Sequence, residues 1–161
     1  MRLISAQEAA LGQMVTPETC MRSPTVHAIV TAVSRRVAVT PIHVYRKTTR
    51  RGRDIKEQLP SHPVARLLAR PNHIQSRYDY WQDATSILIR YGRYHAYKAQ
   101  GSTGPIRRLI PLHPRSVQIE TDSDWDLAYR VTMAGGEQRD VSPAAMHSVG
   151  GPARDFVVGN S

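Results

Sequence analysis

The 161-residue chain has room for one globular domain and not for two of ordinary size. Apolar residues make up 40% and charged residues 22%, a balance that excludes general disorder. The formal charge of +9 and a pI near 10.3 favour polyanions: nucleic acid, an acidic protein face or an anionic membrane surface. A lone cysteine, Cys20, excludes an internal disulfide framework and a multi-cysteine zinc module, and agrees with a reducing compartment. No apolar run approaches the length of about 18 residues that a membrane span needs. The first eight residues lack the apolar segment of a signal peptide, so the expectation is a soluble, intracellular chain.

Residues 1–22 show no clear period and are expected to be a mobile arm. Ser23-Pro24 then reads as a helix start, with serine as cap and proline at the first helical position. Val26, Ile29, Val30, Val33 and Val37 follow along one helical stripe, and Pro41 ends it. Residues 42–46 alternate and predict a strand, followed by a polar, basic stretch from 47 to 56. Ser61-His62-Pro63 opens a short helix that stops before Pro71. Ser76, with Asp79 three residues on, starts the clearest helix. Trp81, Ala84, Leu88 and Tyr91 share its expected inner face, with Trp81 mostly buried, and Gly92 suits its C-terminal cap.

After Gly92 the period changes from about 3.6 to 2. Segments 94–98, 106–110, 116–121, 127–132 and 137–141 predict short strands joined by tight turns, which is an antiparallel meander and not a series of βαβ units. Ser142-Pro143 predicts a last helical turn through Met146. The expected fold is α+β, with N-terminal helices packed on an antiparallel meander, residues 23–161 forming a single domain.

Recognisable catalytic patterns are missing: there is no phosphate-binding glycine loop, dinucleotide turn or nucleophile elbow. The seven histidines include no HExxH and no tight ligand pair, so each reads as a structural or surface residue, and Cys20 reads as a bystander thiol. Asp122, Asp124 and Asp126 have the spacing that begins a calcium loop, but Leu127 and Met133 stand where its glycine and glutamate belong. A hairpin turn is the better reading. The strongest charge signal is Arg46-Lys47-Thr48-Thr49-Arg50-Arg51-Gly52-Arg53. Its cations could contact phosphates, but Asp54 and Glu57 follow and no aromatic is interleaved, so a solvated loop is the better reading. Arg50, Arg51, Arg53, Arg107 and Arg108 are the candidates for contact with DNA or another partner. No cofactor, metal or catalytic residue is expected.

The order of the punctuated segments resembles the bacteriophage portal proteins of the HK97 type over about residues 25–161. The carriers are the helix from Thr25 to Val39, then Pro41-Ile42-His43-Val44-Tyr45-Arg46. The most distinctive run is His62-Pro63-Val64-Ala65-Arg66-Leu67-Leu68-Ala69-Arg70-Pro71-Asn72, continued by Ser76 and Tyr80-Trp81. Downstream stand Gly92, then Leu109-Ile110-Pro111-Leu112-His113-Pro114 with Val117, and Ser142-Pro143 with Met146-His147. The chain departs from the family where Gly92-Arg93-Tyr94-His95 replaces the usual Gly-Asn-Ala-Tyr. It also ends at Ser161, where family members continue through stem, crown and channel-lining helix.

The resemblance implies the N-terminal, wing-like portion of a portal subunit, truncated at its C-terminus. Twelve full-length subunits would form the ring at one capsid vertex through which double-stranded DNA enters and leaves. Implied partners are other portal subunits, the capsid protein, the packaging ATPase (terminase) and the head–tail connector, with no membrane. The implied location is the virion, and the host cytoplasm during assembly. The chain itself is expected not to be an enzyme and, alone, to be a monomer or small oligomer. The rival reading is a free-standing basic nucleic-acid-binding module.

Overall fold

The computed structural model describes residues 15–100, 104–121 and 127–151. A 3-10 turn at Thr19–Arg22 leads into α1 (Pro24–Val39), and a hairpin of β1 (Tyr45–Arg50) and β2 (Arg53–Gln58) follows. Two more helices, α2 (Pro63–Ala69) and α3 (Arg77–Tyr91), precede β3 (Arg93–Gln100) and β4 (Ile106–Leu112). The chain continues through β5 (Val117–Thr121), β6 (Leu127–Thr132), β7 (Gln138–Val141) and β8 (Met146–Gly150). This is the expected α+β class. Within it, β1 and β2 pair with each other, and the six later strands divide into two antiparallel three-stranded sheets, ordered β4-β3-β8 and β5-β6-β7, of which only the second is a plain meander.

β8 has no counterpart in the sequence reading. The helical turn expected from Ser142 through Met146 is present as a 3-10 turn, Pro143–Ala145, capped by the Ser142 hydroxyl, which accepts from the Ala144 amide. The chain then returns antiparallel to β3 because Met146 and Val149, on opposite faces of a strand, each have a core to enter. The Ala96 main chain thus faces both Pro111 and His147.

The architecture is layered, with the β4-β3-β8 sheet in the middle. Three successive residues of β3, Tyr94, His95 and Ala96, are buried, as a strand covered on both faces requires. On one face Tyr94, Ala96, Leu109 and Val149 pack with Tyr80 and Ala84 of α3. On the other, Met146 and Leu112 join Val117, Tyr129 and Val131 of the second sheet, and the His95 ring stands edge-on to Tyr129.

α3 is bounded as its caps dictate: the Ser76 hydroxyl accepts from the Asp79 amide, and Gly92 takes the left-handed conformation at φ 71°. Its inner face differs from the expected one by a residue. Tyr80, Ala84 and Leu88, four apart, point inward, and Tyr80 is 1% exposed. Trp81 is half-buried at the flank, edge-on to Tyr80, with its indole N–H donating to the Leu68 carbonyl at 3.4 Å.

α1 lies outermost, antiparallel to α3. The Arg77 guanidinium at the start of α3 donates to the Thr40 carbonyl after α1, while the Tyr91 hydroxyl at its end donates to Glu18 before α1 at 2.7 Å. Pro24 starts α1 at its first helical position, but the Ser23 hydroxyl makes no capping bond. The expected stripe is buried only in part: α1 inserts Val30 with Ser34 and Ala38, Val26 is half-buried, and Ile29, Val33 and Val37 are exposed. Small residues at intervals of four let two helices approach closely. A helix with one neighbour buries only that narrow side.

Of the expected arm, residues 1–14 lie outside the described residues, as do the aspartates of the 122–126 turn. Glu18 is tied to the body by Tyr91 and by Arg115 at 2.7 Å, and the Cys20 thiol donates to the Pro17 carbonyl. Among the described residues no helix is long and apolar enough to cross a membrane.

Candidate functional site

The basic stretch 47–56 is not a loop but part of the β1–β2 hairpin, whose first strand begins at Tyr45, three residues later than the alternation implied. Six residues pair on each side, from Tyr45 with Gln58 to Arg50 with Arg53, around the two-residue turn Arg51-Gly52. Both turn residues have positive φ, 49° and 73°, the geometry that joins two twisted strands tightly. Every residue of both strands is exposed, so the ribbon projects from the layered body instead of lining its core.

Directly paired residues share a face of a ribbon. One face carries Lys47, Lys56 and the Thr49–Asp54 pair, the other Arg46, Glu57, Ile55, Arg50 and Arg53. Asp54 is engaged by Lys47 at 2.7 Å and by the Thr49 hydroxyl at 2.8 Å, and those bonds hold its carboxyl below the usual carboxylate range. Arg50, Arg51 and Arg53 take part in no ion pair or hydrogen bond through their side chains among the described residues.

Arg107 and Arg108 lie elsewhere, on β4 of the central sheet, and the structure does not place them in one sheet with the hairpin arginines. Their joint exposure has a local cause. Ala99 pairs with Arg108 and Gln100 with Ile106, so Arg107 is the extra residue of a bulge. The bulge keeps both Ile106 and Leu109 on the α3 side while the two arginines between them stay exposed.

The residues of the distinctive run build the scaffold. The His62 ring caps α2 by accepting from the Val64 amide, with Pro63 at the first helical position and Leu68 half-buried. Pro71 is fully buried and its carbonyl accepts from the Leu109 amide at 2.7 Å. Asn72, 5% exposed, donates to the Leu109 carbonyl and the Gln75 side chain, while its own oxygen accepts from the amides of Ile74 and Gln75. Together Pro71 and Asn72 clamp the α2–α3 link to β4.

Pro111 sits in β4, an edge strand, where a missing amide is tolerated. His113 caps the 3-10 turn that begins at Pro114, through its ring and the Arg115 amide, and Val117 enters the second core. His147 is half-buried on β8, and burial followed by the Lys98 charge lowers its pKa. Pro41 and Tyr45 are exposed on either side of the turn from α1 into the hairpin.

Two polar features escaped the sequence reading because distant segments make them. Glu18, Tyr91, His113 and Arg115 form a cluster, and chiefly the Tyr91 hydrogen bond holds the Glu18 carboxyl low. Tyr80, Tyr94 and His95 are buried polar groups of the interior. Among the described residues, no three His, Cys, Asp or Glu side chains stand together so as to hold a metal ion.

A family model described as phage portal protein matches residues 24–161. A chain in the neck of an empty gene transfer agent particle, computed with C6 symmetry, superposes at a TM-score of 0.71 with 21% identity over 89% of this chain. A chain of the native gene transfer agent virion gives 0.68 and 18%, and one from the native neck computed with C12 symmetry gives 0.63 and 17%, each over 89% of this chain. The present chain spans 39% of the first solved chain and 38% of the other two. No curated protein matches.

Proposed function

The chain belongs to the phage portal protein family, and on that premise we propose that it serves as the N-terminal, wing-like part of a structural portal subunit, set in a ring through which DNA enters and leaves a capsid. The observation that carries this reading is the family match from residue 24 onward, together with the place of its most distinctive run. Pro71 and Asn72 hold α2, α3 and β4 in one arrangement, so the run preserves a shape and not a reaction.

In this reading the partners are further portal subunits, the capsid protein, the packaging ATPase (terminase), the head–tail connector and the double-stranded DNA that passes through the ring. The ATPase does the chemical work; this chain supplies shape and needs no cofactor. It resides in the virion and is assembled there from the host cytoplasm.

Gold labelling of an epitope-tagged chain in purified particles tests the proposal. The label is expected at one vertex of each particle, at the neck. Label spread over the capsid, or particles that never carry it, overturns the reading.

A further inference from the structure

The hairpin tip breaks two local rules, and the rest of the fold gains nothing from either. Arg50 and Arg53 stand directly opposite each other, a like-charge pair that destabilises a ribbon. Between them Arg51 occupies a left-handed position at φ 49°, where glycine, asparagine or aspartate belongs. The nearest carboxylate in sequence, Asp54, is engaged by Lys47 on the other face. Unfavourable choices concentrated at one exposed point mark a place where a ligand supplies the missing partner.

We infer that the tip arginines Arg50, Arg51 and Arg53 form a phosphate-binding head with which the projecting β1–β2 ribbon grips the backbone of duplex DNA. The chemistry is charge complementarity: a guanidinium offers a fork of N–H donors that matches a phosphate, and each neutralised phosphate releases counterion. The shape agrees. A six-residue ribbon is roughly 20 Å long, and a two-stranded ribbon fits a major groove about 12 Å wide.

The cations favour DNA over an acidic protein face. They lie on both sides of the ribbon, Lys56 on one, where Lys47 is paired with Asp54, and Arg46, Arg50 and Arg53 on the other, as a body set between two phosphate rows requires. The ribbon offers only Tyr45 and Ile55 as large apolar groups, too little for the apolar centre of a protein interface. This inference stands apart from the ring role, because a single chain suffices for binding.

Fluorescence anisotropy with a labelled 24-base-pair duplex of mixed sequence, from 50 to 200 mM salt, tests it. The triple variant R50Q/R51Q/R53Q is expected to flatten the slope of log affinity against log salt by about 2.7, and R51N alone by about 0.9. Over that fourfold salt range the difference amounts to roughly fortyfold in affinity. R107Q/R108Q, on the separate central sheet, is expected to leave the slope unchanged. An unchanged slope in the triple variant overturns the inference, as does an equal loss in R107Q/R108Q. Displacement of the duplex by polyglutamate at equal charge concentration also overturns it, in favour of an acidic protein partner. All these outcomes leave the vertex-labelling result untouched.

Discussion

The Tyr80 and Tyr94 hydroxyls are buried beside one another without a hydrogen bond of good geometry, and the Nδ1 of His95 is buried with no partner among the described residues. Burial pushes both phenols up, away from ionisation. A buried hydroxyl with so poorly aligned a partner costs free energy that a phenylalanine does not. Tyr80→Phe and Tyr94→Phe are therefore expected to be neutral or stabilising by up to about 1 kcal/mol, whereas Tyr80→Ala costs about 3–5 kcal/mol, both read from urea unfolding midpoints. Burial, with a smaller contribution from Arg93, pushes His95 down to about 4. The unfolded chain binds that proton near pH 6.5 and the folded one does not. Stability is therefore full above pH 6.5 and falls between 6.5 and 4, by at most about 1.4 kcal/mol per pH unit. His95→Gln is expected to flatten the urea midpoint across that window, and an equally steep profile in the variant would assign the slope to other groups. At the hairpin tip, Arg51→Asn relieves the left-handed arginine and is expected to stabilise the ribbon by roughly 0.5–1 kcal/mol, seen as slower exchange of its cross-strand amides.

At the scale of elements, the α2–α3 link shows most clearly how a motif becomes a shape. Four hydrogen bonds converge on the Asn72 side chain, two of them from backbone amides. Asn72→Ala leaves the Leu109 carbonyl without this buried donor and exposes the part-buried amides of Ile74 and Gln75 to partial hydration, and is expected to cost about 1–3 kcal/mol by chemical denaturation. Asn72→Asp keeps the accepting oxygen but loses the donor to Leu109, so a smaller loss there would assign the larger share to the amides. The ends of elements were legible in the sequence because single residues write them: Ser76 and Gly92 bound α3, and His62 with Pro63 starts α2. Faces were less legible, since tertiary neighbours choose them. Tyr80 and Trp81 are equally apolar neighbours on a helix, and only the position of β3 decides that Tyr80 turns inward. The same holds for α1, where Val30 of the β-branched stripe turns inward with the small residues Ser34 and Ala38 while Ile29, Val33 and Val37 stay exposed. The hairpin was missed for another reason. Arginine at its turn hides the usual asparagine–glycine signature, and only Gly52 remained to be read.

For the whole molecule, the layers fix what the chain does alone and what it does in company. Its +9 charge makes copies repel one another at low salt, so the 18.0 kDa chain by itself is expected to run as a monomer or small oligomer in light scattering. A stable twelvefold mass would show that these residues alone encode ring closure. The central sheet is clasped by α3 on one side and the second sheet on the other, but the hairpin shares in neither core. Two-stranded ribbons without a packed face are marginal in water, and parts of a protein that open locally do so at their own free energy. Hydrogen exchange should therefore divide the molecule in two: amides of β3 protected up to global unfolding, and those of β1 and β2 exchanging orders of magnitude sooner. The ribbon is then a limb that opens and closes while the body stays folded. Whatever it grips must first hold it still, which trades affinity for a contact that is quick to make and quick to release.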